Sequence, residues 1–142
     1  MFVRSRFIAA VLSAGFLATV LTGASAQHEA VALQGEWRVT AITEAEVPEG
    51  VEVSMRFDDE GQVSGRGGCN RYSGEYELAG DRLTIGPVAM TRMACPDEQM
   101  TTETRFGVAI GDVARAGIDE TGALILSDAG GARLIVALPA TD

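Results

Sequence analysis

From Gly35 onward the chain alternates between apolar and polar positions. In "GEWRVTAIT", Trp37, Val39 and Ala41 fall on one face and Glu36, Arg38 and Thr40 on the other. "EVSMRFDD" repeats the device, with Val53, Met55 and Phe57 inward and Glu52, Ser54 and Arg56 outward. A period of two marks strands with one wet face. Between them, "EAEVPEG" (44–50) is a polar connection broken by Pro48. "DDEG" (58–61) ends in Gly, which tolerates positive φ, so the chain reverses there into "QVSGRGG". "GEYEL" and "DRLTIG" read as a hairpin joined at Ala79-Gly80, and "VAMTRMA" as a further, irregular strand.

The period then changes. Phe106, Ala109, Ile110 and Val113 recur at i, i+3, i+4 and i+7, which predicts a helix over about residues 97–113. Pro96 suits the first helical position, Asp97 and Glu98 place negative charge at the N-terminus, and Cys95 falls at the cap. Gly107 and Gly111 each weaken the helix by about 1 kcal/mol, so tertiary packing has to hold it. Three strands follow: a short one near Ile118, "ALILSD", and "ARLIVALP", the last two joined by Ala129-Gly130-Gly131. The final strand is apolar from Leu134 to Leu138, which predicts cover on both sides, a barrel interior on one and the helix on the other. The pattern is mainly β (α+β): a small antiparallel, barrel-like sheet of about 7–9 strands with one helix packed on it.

The first 26 residues read differently. Arg4 and Arg6 precede an apolar run from Phe7 to Leu21, and Ala24-Ser25-Ala26 supplies a small-x-small cleavage pattern. This predicts a signal peptide cut after Ala26, since the apolar run is short for a spanning helix. Ser25 stands where a lipoprotein would need its cysteine. The expected organisation is a signal peptide (1–26), a lead-in (27–34), one domain (35–138) and a short tail (139–142), in a periplasmic or secreted protein.

Of the 142 residues, 116 remain after such a cut, enough for one compact domain. Removing Arg4 and Arg6 from 11 basic residues leaves 9 against 20 acidic, a formal charge of −11. That surface repels phosphate backbones, and no basic patch with interleaved aromatics is visible in the sequence, so nucleic acid is not an expected partner. All the basic residues are Arg, which we read as composition bias. Two cysteines, Cys69 and Cys95, in an exported chain point to a disulfide. The alternative, a metal or catalytic thiol pair, lacks ligands.

Taken together, Trp37, "GGCNRYSGEY" (67–76), "LTIG" (83–86), "TRMAC" (91–95), and Met100, Glu103 and Phe106 resemble the META domain, also called the HslJ-like domain or DUF306. The closing "LILSDAGGARLIV" is also similar, so the resemblance covers about residues 35–138. It implies a small antiparallel β barrel with one helix, usually exported in bacteria. It also implies an association with heat shock and, in some members, with antibiotic sensitivity, and no enzymatic activity.

The residues themselves lead to a similar place. Gly67 and Gly68 fit a turn that needs positive φ, and Asn70 is among the few other residues that visit it cheaply. Gly74 sits in the same motif; Tyr72 and Tyr76 can pack their rings and keep their hydroxyls at a polar edge. The whole stretch reads first as a cross-linked corner that organises the fold. The second reading is a binding surface of Asn70, Arg71, Tyr72 and Arg92. Glu103 is either a buried hydrogen-bond partner or exposed.

Catalysis is not expected. His28 is the sole histidine and lies beside the cleavage point, there is no Lys, and the thiols are expected to be oxidised, so serine lacks an activating partner. Glu75 and Glu77 read as a solvated strand face. Met90, Met93 and Met100 bracket Cys95, and thioethers bind cuprous ion, but methionine more commonly fills core gaps and no His stands among them. The expectation is therefore no catalytic residue, no metal and no cofactor. It is also a monomer, free of the membrane after cleavage, whose partner is another envelope protein. Two further functions fit a small rigid barrel: inhibition of a protease- or lysozyme-type hydrolase through a protruding loop bearing Arg71 and Tyr72, and carriage of a small apolar ligand inside the barrel.

Overall fold

The computed structural model of the protein describes residues 30–141. The signal peptide, the cut after Ala26, His28 and the first part of the lead-in lie outside them. Ten strands and one helix follow in order: β1 (Gly35–Ile42), β2 (Ala45–Glu46), β3 (Glu52–Phe57), β4 (Gln62–Gly68), β5 (Arg71–Ala79), β6 (Arg82–Ile85), β7 (Ala89–Met90), α1 (Asp97–Asp112), β8 (Arg115–Ile118), β9 (Leu124–Ser127) and β10 (Arg133–Pro139).

Eight of the strands, in the order β10-β9-β8-β6-β5-β4-β3-β1, form an antiparallel sheet that closes into a barrel where β10 pairs with β1. The two others are two-residue bridges, β2 against the end of β1 and β7 against the start of β5. Periodicity misses β2 because two residues inside a polar, Pro-broken connection carry no alternation. Pairing of β1 with β10 shifts register between Val39 and Ala41. The Thr40 hydroxyl there donates to the Val136 carbonyl at 3.3 Å.

The alternation seen in the sequence is the barrel's inside and outside, except that the shift after Val39 leaves Ala41 half-buried and turns Ile42 into the core. Val39, Val53, Met55, Phe57, Val63, Leu83, Leu124, Leu126, Ile135 and Ala137 are buried and pack into one core. Each fully buried large aliphatic or aromatic side chain contributes about 1.5–3 kcal/mol. These side chains fill the barrel interior. The lead-in joins this core through Leu33, which is buried and whose carbonyl accepts the Trp37 indole N–H at 2.8 Å.

The helix buries the face its periodicity predicted: Phe106, Ala109 and Ile110, with Val113 just beyond its end. Pro96 is the residue before the first turn rather than within it, because its ψ of 150° is extended; its carbonyl accepts from the amides of Gln99 and Met100. Cys95 is accordingly one position outside the cap. The final strand departs from expectation. Ile135 and Ala137 are buried, but Leu134 and Val136 are only half-buried and Leu138 is exposed. The cause is where the helix sits: its main seat is β4, with lesser contact to β10 and β1.

Candidate functional site

The motif "GGCN" forms the connection between β4 and β5 and the seat of the helix. Cys69 and Asn70 alone separate the two strands, and the Gly67 amide donates to the Asn70 carbonyl at 2.9 Å. Gly68 has φ of +121°. A Cβ there would also lie 2.8 Å from the Gln99 carbonyl oxygen and 3.1 Å from the Glu103 nitrogen, so the helix backbone rests directly on it. Gly67 serves a different purpose from the one expected. Its φ is not positive, but a Cβ would lie 3.3 Å from Phe106 Cδ1. Asn70 is likewise outside the left-handed region. Its side chain, not its backbone, explains its presence.

That side chain is buried and bonded on every side. The Asn70 Nδ2 donates to Glu103 Oε1 at 2.8 Å and to the Met93 carbonyl at 3.3 Å. Its Oδ1 accepts from the Met93 amide at 2.6 Å and from the Thr91 hydroxyl at 3.0 Å. Glu103, itself buried, takes the two backbone amides of the turn on Oε2, Cys69 at 3.1 Å and Asn70 at 2.5 Å. A carboxylate accepting several N–H groups is strongly held, and removing one partner leaves the others unsatisfied in a dry site. Cys69 and Cys95 form a disulfide with Cα atoms 5.9 Å apart. The corner is thus joined to the helix twice, covalently just before its first turn and by the Glu103 carboxylate farther along.

The tyrosines follow the same logic. Tyr72 is buried with its ring 5.1 Å from that of Phe106, and its hydroxyl donates to the Ser54 carbonyl at 2.8 Å. Burial pushes its phenol well above the ordinary tyrosine range. Tyr76 stacks edge-on against Phe57 at 5.0 Å and donates to the Asp58 carbonyl. Burial, then the charges of Asp58 and Asp59, raise its phenol too. Gly74 lets the Pro87–Val88 segment cross β5, since a Cβ would lie 3.0 Å from Val88 Cγ1.

The four residues expected to form a binding surface divide between two concavities, Asn70 and Arg92 bordering one and Arg71 and Tyr72 the other. Asn70 and Tyr72 are buried, whereas Arg71 and Arg92 are exposed. Residues 71–79 are one continuous strand, so Arg71 and Tyr72 point to opposite faces and sit on no protruding loop. Arg92 borders a concavity of about 560 Å³ lined by Met90, Met93 and Met100, with Asn70 and Glu103 at its base. Arg71 lines a separate polar groove of about 400 Å³ on the outer face of β1, β3, β4 and β5. Glu75 and Glu77 lie on the exposed face of β5. Among the described residues, no three His, Cys, Asp or Glu side chains are grouped so as to hold a metal. The network residues Thr91 and Met93 were missed as partners of Asn70, since nothing local in "TRMAC" says where its backbone will turn.

No helix among the described residues is long and apolar enough to cross a membrane. The disulfide fits an oxidising compartment. No curated protein matches the chain. Among solved structures, a protein from Burkholderia xenovorans studied by NMR is 25% identical with a TM-score of 0.65, over 78% of this chain and 85% of that one. A second NMR structure is 23% identical (TM-score 0.58, 75% and 90% covered). A DUF4847 family protein from Bacteroides vulgatus ATCC 8482 shares the fold at 14% identity (TM-score 0.54, 78% and 95% covered). The profile of the META domain matches residues 29–141, and the chain belongs to the META domain family.

Proposed function

We propose that this META domain protein is an exported, non-catalytic binding scaffold that acts in the cell envelope during heat or envelope stress, with another envelope component as its partner. The observation that carries the non-catalytic reading is the fate of the motif. Glu103 and Asn70, the groups best placed to do chemistry, are committed to holding the corner on the helix, with both carboxylate oxygens and both amide ends engaged. Three N–H donors converge on this carboxylate, so its position is set by the turn it holds on the helix. The signal-peptide pattern and the disulfide support export. The filled barrel interior favours recognition by outer surfaces over carriage of a ligand inside.

The test is abundance and capture together. The protein should rise after a heat step or envelope damage, and cross-linking in intact cells should then recover one recurrent envelope component. Unchanged abundance under both stresses would remove the stress assignment, and turnover of a hydrolase substrate by the purified protein would remove the non-catalytic one.

A further inference from the structure

The polar groove on the outer face of β1, β3, β4 and β5 sits where the barrel's hydrogen-bond ladder opens. β3 pairs with β4 at Glu52–Gly68 and Val53–Gly67, then again at Arg56–Ser64 and Phe57–Val63. Between these the Ser54 carbonyl turns over Gly65, where a Cβ would lie only 2.1 Å from it. Side chains replace the missing ladder bonds. The Ser54 Oγ accepts the Arg66 amide at 3.2 Å, and the Ser54 carbonyl accepts the Tyr72 hydroxyl from the interior. The register is the same on either side of this opening, which is pinned from both faces of the sheet.

Three guanidiniums border the opening: Arg56, Arg66 and Arg71. Arg66 and Arg71 are directly opposite each other across β4 and β5. Like charges so placed oppose folding. The protein carries a formal charge of −9, so carboxylates to relieve that repulsion are plentiful. They are not used. Among the described residues, ion pairs join Arg66 to Glu52 at 3.7 Å and Arg115 to Asp81 at 3.0 Å, and neither takes up Arg56 or Arg71. Ser64 and Ser54 add hydroxyls to the same groove, and the Ser54 oxygen, already accepting from Arg66, has its proton to donate.

We propose that this groove binds a soluble oxyanion of the phosphate class, with Arg56, Arg66 and Arg71 as its cationic ligands and Ser54 as a hydroxyl donor. Guanidinium forks match phosphate oxygens in pairs, and an anion seated between Arg66 and Arg71 cancels their repulsion. The same chemistry is offered by a phospholipid headgroup. The protein's acidic surface sets it against an anionic membrane plane, which favours a free ligand that enters the groove alone. The assignment is independent of stress induction.

The experiment is an NMR titration of the purified, oxidised protein with sodium pyrophosphate at constant ionic strength. Saturable amide shifts should concentrate at Ser54, Arg56, Ser64, Gly65, Arg66 and Arg71. The double variant Arg56→Gln/Arg71→Gln should bind about 10-fold more weakly or worse, while the charge-matched control Arg92→Gln/Arg133→Gln should change little. Because Arg56 and Arg71 are exposed, the double variant should melt within a few degrees of the wild type, which separates lost binding from lost fold. Shifts scattered over the surface, or equal losses in both double variants, would overturn the proposal. So would cosedimentation with phosphatidylglycerol vesicles in the absence of any response to pyrophosphate.

Discussion

Asn70 and Arg71 are adjacent in sequence and belong to opposite kinds of place. Asn70 lies in a dry corner where every polar atom has a protein partner, and no buried side-chain nitrogen or oxygen among the described residues lacks one. Arg71 lies one residue on, across the sheet, in a wet groove where a guanidinium faces another guanidinium. A structural device and an arginine-bordered polar groove thus meet within one short motif. Proximity in a motif is therefore no guide to shared purpose.

The comparison predicts a graded response. The largest effect belongs to Glu103→Ala, which strands two backbone amides and the Asn70 side chain in the corner. Urea unfolding should show a loss of about 4 kcal/mol. A loss below about 1 kcal/mol would mean that the corner does not depend on this carboxylate. Next comes the disulfide. Its cysteines are 26 residues apart, and Cys69→Ser/Cys95→Ser should cost about 3 kcal/mol on the chain-entropy estimate. Mass spectrometry with and without reductant checks that the bond is present in protein isolated from cells.

The smallest effect sharpens the boundary between the two regions, because Tyr72 touches both: its ring meets Phe106 of the helix and its hydroxyl holds the groove floor at Ser54. The Tyr72 and Tyr76 phenols are both raised on folding, so the folded chain keeps protons that the unfolded chain releases. Their contribution is fully present below the unfolded tyrosine pKa of about 10 and is lost as pH rises above it. Tyr72→Phe should cost about 1 kcal/mol at neutral pH through the lost hydrogen bond and should flatten the alkaline decline. Melting temperatures measured from pH 8 to pH 11 separate the two contributions; an unaltered alkaline slope would place Tyr72 outside the effect.

Much of the barrel was legible because each strand's period is local. Trp37, Val39, Val53, Met55 and Phe57 all point inward as their alternation demanded, and Phe106, Ala109 and Ile110 face the sheet as theirs did. What stayed hidden was relational. The sequence read Gly67 as a turn residue, whereas it is a contact residue, and only the helix lying on it reveals this. Leu138 looks like core and is exposed because the helix settles on β4 rather than squarely over β10. The outward direction of Ser54 and Arg56 was readable from "EVSMRFDD". That Arg56 shares a groove with Arg66 and Arg71 was not, since it depends on three cross-strand registers.

The seam between Trp37–Ile42 and Ile135–Pro139 has a consequence for how the molecule is made. Nearly the entire domain must be synthesised before the barrel can shut, because the strand that completes it, β10, follows all the others. Until then β1 and β9 each offer a row of unsatisfied amides and carbonyls to any neighbouring chain, the situation in which extended segments join edge to edge. A chain clipped before Arg133 inherits that hazard permanently, so loss of the ten residues from 133 to 142 should make the product prone to aggregate.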